Sequence, residues 1–308
     1  MRQRQASCVA FSGSGFGPGV RATGVELVPE VARFADQFFA EANGGFGSSA
    51  DTRLVVDDAR DFLRASPRQY DVIVGDLVVP WRPGESSLYT REHFANARQA
   101  LAGDGLICVW LPMFQLSEPQ FRIILNTFLA EFPKAFVWRG DFSPGEPALG
   151  LIAFRDPSRT FDPSAVSRRL ALMRPDPFNP QLKHPGAFWM HLAGLLTRES
   201  FNPSEARINS ENLPWLELRG RASPGRESSE HFVGRPLRQW ENEVRANSIA
   251  PLIFLGADAL AGVNAGTAMT EYTLLLSEGR QAEAKVLEQR ARELLGADAA
   301  REVFGPAR

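Results

Sequence analysis

Cysteine is scarce. Cys8 and Cys108 are the two among 308 residues, a hundred positions apart. That is too few for a disulfide framework, and without a Cys-x-x-Cys pair they neither hold zinc nor run dithiol chemistry. A reducing cytoplasm is therefore the expected compartment. An excess of one charge is also missing: 34 Lys+Arg face 36 Asp+Glu, a net −2. This excludes a strongly basic nucleic-acid or polybasic membrane binder as a property of the whole chain, so neither nucleic acid nor membrane is an expected partner. After Arg2 and Arg4 the opening stretch has Gly13, Gly15, Gly17, Pro18 and Gly19 where a signal peptide needs an apolar core. Nor is there an unbroken apolar run elsewhere. Residues 249–269 are interrupted by Pro251, Asp258 and Asn264 and are rich in Gly and Ala, which predicts a buried helix rather than a membrane span. The four histidines, His93, His184, His191 and His231, lack metal-ligand spacing, and no metal is expected. Neither a G-x-S-x-G elbow nor a P-loop is present.

What the sequence does contain is alternation. Between 23 and 155, short apolar runs alternate with amphipathic stretches, the pattern of parallel strands joined by helices. Strands are predicted at 23–27, 52–56, 71–75, 106–111, 134–138 and 149–154. Helices are predicted at 29–42, 59–65, 90–101 and 121–131. The run Tyr70-Asp71-Val72-Ile73-Val74-Gly75-Asp76 is nearly continuous in β-branched residues, as suits a central strand covered on both faces. The sum is a doubly wound α/β sheet. Beyond Arg155, Pro157, Pro163, Pro175, Pro177, Pro180 and Pro185 punctuate a stretch with little periodicity, so a boundary is placed near 156. A helical pattern resumes at 267–295, stops at Gly296, and is followed by a short helix to about 304. The expected organisation is an irregular Gly-rich start at 1–22, the α/β domain at 23–155, and a Pro-rich connector with a mainly helical C-terminal extension at 156–308.

In an open parallel sheet the ligand lies at the carboxyl ends of the strands. Three of these ends carry acids: Glu26, the pair Asp57-Asp58, and Asp76. An acid ending an early strand can accept both hydroxyls of a ribose, which suits Glu26. An acid after the next strand can accept the exocyclic amine of an adenine while neighbouring backbone reads the ring, which suits Asp58 and Ala59. Asp76, after the central strand, is then the candidate base or electrostatic anchor. The competing reading is that each acid simply caps a helix.

The segments Val25-Glu26-Leu27-Val28-Pro29, Asp58-Ala59-Arg60-Asp61-Phe62-Leu63, Tyr70-Asp71-Val72-Ile73-Val74-Gly75-Asp76-Leu77, Ser87-Leu88-Tyr89-Thr90-Arg91-Glu92-His93-Phe94 and Gly105-Leu106-Ile107-Cys108-Val109-Trp110-Leu111-Pro112 follow one another in a recognisable order and spacing. Over roughly 20–155 the chain resembles the polyamine aminopropyltransferases, of which spermidine synthase is the type, and especially their longer bacterial relatives. A later segment, Ile208-Asn209-Ser210-Glu211-Asn212-Leu213-Pro214-Trp215-Leu216-Glu217, is similar to one in those longer relatives. The resemblance implies a class I methyltransferase-like fold. It also implies transfer of an aminopropyl group from decarboxylated S-adenosylmethionine to a diamine such as putrescine. It gives Asp76 the role of receiving the amine's proton, Glu26 the ribose, and Asp58 with Ala59 the adenine. Gln115, Trp81 and Tyr89 fall on segments that could line the amine channel, where an aromatic face holds a cation. A homodimer is a further expectation carried by the resemblance.

The chain departs from the family pattern in two places. Where the family has a second Asp three residues after the strand-end Asp, this chain has Val79. The Gly-rich stretch 13–17 lies about a dozen residues before Glu26, too close for a loop, helix and strand in a unit of roughly thirty residues. The expectation is a start truncated relative to the family, with the first strand and its phosphate-loop analogue absent. Two other readings stand beside aminopropyl transfer. One is a methyltransferase using intact S-adenosylmethionine, which Val79 favours. The other is a non-catalytic domain of the same fold, favoured by the short start.

Overall fold

The computed structural model describes residues 4–8, 20–40, 45–48, 50–80, 82–173, 184–200, 207–221, 231–248 and 250–304. The first half of the described chain runs β1 (Arg4–Cys8), β2 (Val20–Glu26), α1 (Pro29–Phe38), β3 (Thr52–Val56), α2 (Ala59–Ala65), β4 (Tyr70–Gly75), α3 (Arg91–Ala100), β5 (Leu101–Pro112), α4 (Glu118–Glu131), β6 (Lys134–Arg139) and β7 (Ala148–Phe154). The second half runs α5 (Pro163–Leu172), α6 (Pro185–Met190), β8 (Leu192–Thr197), α7 (Trp215–Arg221), α8 (Gly234–Ser248), α9 (Gly256–Ser277), α10 (Gln281–Leu295) and α11 (Ala297–Phe304).

The strands form one sheet in the order β3-β2-β1-β4-β5-β7-β6-β8. From β3 to β5 every pair is parallel, and the order 3-2-1-4-5 is that of the doubly wound sheet. β7 inserts antiparallel between β5 and β6. The fold is thus class I methyltransferase-like, as expected. Its main core lies where α3 and α4 cover β4 and β5, around Tyr70, Ile73, Phe94, Ile107, Phe121, Ile124 and Phe128.

Two parts of the sheet differ from the sequence reading. The first strand, expected to be absent, is in place: Arg4–Cys8 lies between β2 and β4, with Cys8 level with both Gly24 and Val74. A central parallel strand normally reads as a continuous apolar run, and the segment RQASC does not, so no local signal announced it. The Gly-rich stretch 13–17 that follows lies outside the described residues. The second difference is β8, from the stretch read as a connector, which pairs antiparallel with β6 and extends the same sheet. Ala193, Leu196, Leu216, Phe232, Leu237 and Trp240 from beyond 156 share the main core with β4, β5 and α4. Strand β8 and helix α8 are therefore packed with the sheet, while α10 and α11 stack on α9 and α6.

A buried ionic cluster fixes this junction. Arg139, at the end of β6 and 1% exposed, donates through Nη1 to the carbonyls of Met190 (3.2 Å) and Leu192 (3.3 Å). Its Nε donates to Glu241 Oε2 at 3.2 Å. Arg238 joins the same Glu241 oxygen at 3.0 Å and reaches Glu271 at 3.0 Å. Burial lowers the Arg139 pKa and the Glu241 carboxylate opposes that effect.

Within the helices, the stretch 267–295 read as one continuous pattern is two. Gly279 adopts φ +76°, a left-handed conformation that ends α9 and starts the return of α10. Leu252–Ser277 is long and apolar enough to cross a membrane by length and composition. Here its Ala259, Gly262, Val263, Ala265 and Gly266 are buried, and a Cβ on Gly266 would collide with the Met190 backbone of α6. α1 stops at Phe38, short of the expected 42, and Val31, Phe34 and Phe38 along it are exposed, Phe38 to 67%.

Candidate active site at the carboxyl edge of the sheet

Because β2, β3 and β4 run parallel, their carboxyl ends share one edge, and each end delivers an acid. Glu26 ends β2 opposite Val56 of β3, and the Asp57 N–H donates to the Glu26 carbonyl at 3.1 Å. Asp76 directly follows β4, on the far side of β1. Glu26, Asp58 and Asp76, far apart in sequence, are thereby brought to one rim.

Their surroundings differ. The Glu26 side chain turns toward the start of α1, where Oε1 accepts from the Val28 N–H at 2.8 Å. A carboxylate has about four acceptor positions, so this bond leaves capacity for a ligand hydroxyl. Asp58 is the N-cap of α2: Oδ1 accepts from the Arg60 N–H at 2.9 Å, and the Arg60 guanidinium reaches Oδ1 at 3.2 Å and Oδ2 at 2.7 Å. The side-chain bond from Arg60 holds the Asp58 carboxyl below its ordinary pKa. The capping reading thus holds for Asp58 in this structure, and an adenine amine reaching it would share the carboxylate with Arg60. Ala59, the first residue of α2, is buried.

Asp76 borders a small cavity between the sheet and the helices, of about 20 Å³, with Leu63, Ile73, Val78, Tyr89 and His93 among its walls. Tyr89 is buried and donates through its hydroxyl to the Val78 carbonyl at 3.3 Å. Burial pushes its phenol well up, with the charges of Asp76 and Glu85 acting the same way, so it stays neutral. Gln115 closes the turn Met113–Gln115 after β5 and is not among the walls of this cavity. Trp81 lies outside the described residues. Among those residues, no cluster of three or more His, Cys, Asp or Glu side chains could hold a metal.

Sequence reasoning missed the groups that hold the loop after Asp76. Glu85 Oε2 accepts from the backbone N–H of Val79 at 2.8 Å, at the position where the resemblance expects a second Asp. Glu217 accepts from Ser86 Oγ at 2.6 Å and from the Gly84 N–H at 3.2 Å. Asn209, buried, donates through Nδ2 to the carbonyls of Ser86 (3.3 Å) and Tyr89 (3.2 Å), while its Oδ1 accepts from the Leu216 N–H at 3.3 Å. The segment 208–217 was visible as a pattern, but its purpose was not. It clamps the turn Glu85–Tyr89 beside Asp76.

A doubly wound sheet with acids at successive strand ends has the form of an α/β domain of the methyltransferase-like class, in which ligands bind at this edge. Comparison with known proteins narrows this: residues 20–135 match the family model of the spermine/spermidine synthase domain. The chain is 36% identical over 84 residues to a polyamine aminopropyltransferase of Erwinia tasmaniensis, covering 27% of this chain and 29% of that protein. It is 30% identical over 148 residues to polyamine aminopropyltransferase 2 of Hyperthermus butylicus, covering 48% of each. With a polyamine aminopropyltransferase of Ruegeria it shares 26% over 171 residues, 54% of this chain and 60% of that one. The matches thus span less than two thirds of these relatives. Among solved structures, spermidine synthase in complex with the transition state analogue AdoDATO superposes with a TM-score of 0.45 at 18% identity, over 72% of this chain and 67% of that one. Over the matched stretch the chain is spermidine synthase-like.

Proposed function

We propose that this protein transfers an aminopropyl group from decarboxylated S-adenosylmethionine to an amine acceptor of the diamine class. The observation that carries this reading is the convergence of Glu26, Asp58 and Asp76 on one edge of the sheet, within the stretch that matches the spermine/spermidine synthase domain. The amine nitrogen, once deprotonated, attacks the methylene carbon beside the sulfonium. The new C–N bond forms as the C–S bond breaks, methylthioadenosine leaves, and the proton passes to Asp76. A carboxylate near both cations positions the amine and receives that proton. Glu26 holds the ribose and Asp58 with Ala59 the adenine. Tyr89 borders the space beside Asp76, and Gln115 and Trp81 belong to segments assigned to the amine side. An acidic rim favours a nucleotide that has lost its own carboxylate. Assembly as a homodimer is part of the same reading.

Val79 supports a second reading. With no second carboxylate at that position, an acceptor other than a diamine, or methyl transfer from intact S-adenosylmethionine, becomes an alternative outcome. Titration calorimetry with methylthioadenosine and decarboxylated S-adenosylmethionine tests the first step, with micromolar binding expected and lost in Glu26→Gln and Asp58→Asn. In an aminopropyl-transfer assay Asp76→Asn is expected to lower kcat by about 10²–10⁴ while nucleotide binding persists. Methyl transfer in place of aminopropyl transfer would select the second reading. No binding by folded protein would overturn both.

A further inference from the structure

His93 has no part in the mechanism above, yet it sits beside its central acid. It is the third residue of α3, where its backbone N–H is capped by Thr90 Oγ1 at 3.3 Å, and this fixes its side chain on the buried face of the helix. The residue is 8% exposed, and its Nδ1 is buried with no hydrogen-bond partner. The same ring forms part of the wall of the cavity that Asp76 borders. A buried polar nitrogen left unpaired costs about 1–3 kcal/mol, and native interiors meet that cost by pairing or by an enclosed water. The cavity, at about 20 Å³, accommodates one water, which needs about 10–15 Å³ and at least two polar partners. The remaining walls named above are aliphatic apart from Tyr89, whose hydroxyl proton is committed to the Val78 carbonyl and whose oxygen can still accept.

We propose that His93 positions Asp76: the imidazole Nδ1 and the Asp76 carboxylate share one water in this cavity, which fixes the carboxylate toward the rim where the amine is received. The water donates to the carboxylate and, according to the tautomer of His93, either donates to Nδ1 or accepts from it. Burial, with Arg60 nearby, pushes the His93 pKa down to about 4. The ring is therefore neutral at pH 7 and serves as a fixed hydrogen-bonding group rather than as a proton store. The charged and titratable groups around it are Asp58 and Arg60 on α2, Asp76 after β4, and Tyr89 before α3.

The kinetic consequence rests on the aminopropyl-transfer reading, whereas the contact itself does not, and the test separates the two. The Asp76 carboxyl is titrated by carbon-13 NMR in the unliganded full chain and in His93→Phe and His93→Gln. Removing a hydrogen bond to the charged form raises a carboxyl pKa. Accordingly, the carboxyl titration is expected to move upward in His93→Phe and to return most of the way in His93→Gln, which keeps a polar group. In the transfer assay His93→Phe is expected to lower kcat about tenfold with KM for both substrates within about twofold, and His93→Gln to recover most of the loss. An unchanged Asp76 titration in His93→Phe overturns the proposal whatever the activity, and so does a moved titration with unchanged kcat. Wild-type protein without transferase activity refutes the functional reading, and the titration still decides the contact. If His93→Phe does not fold, His93→Leu carries the same comparison.

Discussion

The amide of Asn209 donates to the main-chain carbonyl of Tyr89 at 3.2 Å, 120 residues earlier in the chain. With the bond to Ser86, it ties a late segment to the turn that follows the candidate catalytic acid. The segment 209–217 thus has a definite task at the rim. Asn209 and Glu217 hold the turn on which Tyr89 stands, the Leu216 N–H fixes the Asn209 amide, and Tyr89 in turn braces Val78.

Asn209→Ala removes a buried donor pair and an acceptor at once and leaves two carbonyls and one N–H unpaired. The expected cost is about 2–4 kcal/mol, read by urea unfolding. A second signature is expected in limited proteolysis, with new cleavage within 82–90 before global unfolding. Cleavage elsewhere first would count against the clamp.

Glu241 stands between Arg139 and Arg238. Glu241→Ala leaves the buried Arg139 guanidinium without its compensating carboxylate, a loss of about 3–5 kcal/mol. Replacing the exposed Glu283, which pairs with Arg280, serves as the control and is expected to change stability by less than about 1 kcal/mol. Paired denaturant titrations distinguish the two sites.

Gly266→Ala places a methyl group on the Met190 backbone. α9 must then lift from α6, at a cost of about 1–3 kcal/mol or more, seen as a lowered Tm. Gly145→Ala, where a new Cβ meets nothing within 4 Å, is expected to leave Tm unchanged.

Asp58 has its folded pKa lowered below 3.8, first through the side-chain bond from Arg60. A depressed acid contributes stability that is present above its unfolded pKa and lost as pH falls through the folded value. The difference in Tm between wild type and Asp58→Asn is therefore expected to be greatest near pH 7 and to shrink below about pH 4. Thermal unfolding from pH 7 to pH 2.5 measures it, and a difference independent of pH would show that Arg60 does not stabilise the charged form.

Local patterns made much of the α/β domain legible. Thr52–Val56 and Ala59–Ala65 have the expected boundaries, and Tyr70–Gly75 starts one residue earlier, because β-branched runs and amphipathic spacing act within a few residues. The acids were legible for the same reason, since a strand end in a parallel sheet places its next residue at the ligand edge. Three features carried no such signal. RQASC becomes a central strand through the neighbours that pair with it on both sides rather than through its own apolar content. Leu192–Thr197 follows the Pro-rich stretch that marked a boundary, and it becomes the outermost strand by pairing with β6. Asn209 and His93 are ordinary polar residues in one dimension. Their significance arises from burial against Tyr89 and beside Asp76. By itself the sequence determined the periodicity, and with it the order of elements and the acids at their ends. Tertiary structure decided which distant polar groups meet, because such pairings are selected by the cost of leaving a buried donor or acceptor unsatisfied, a cost that exists only once the chain has closed around them.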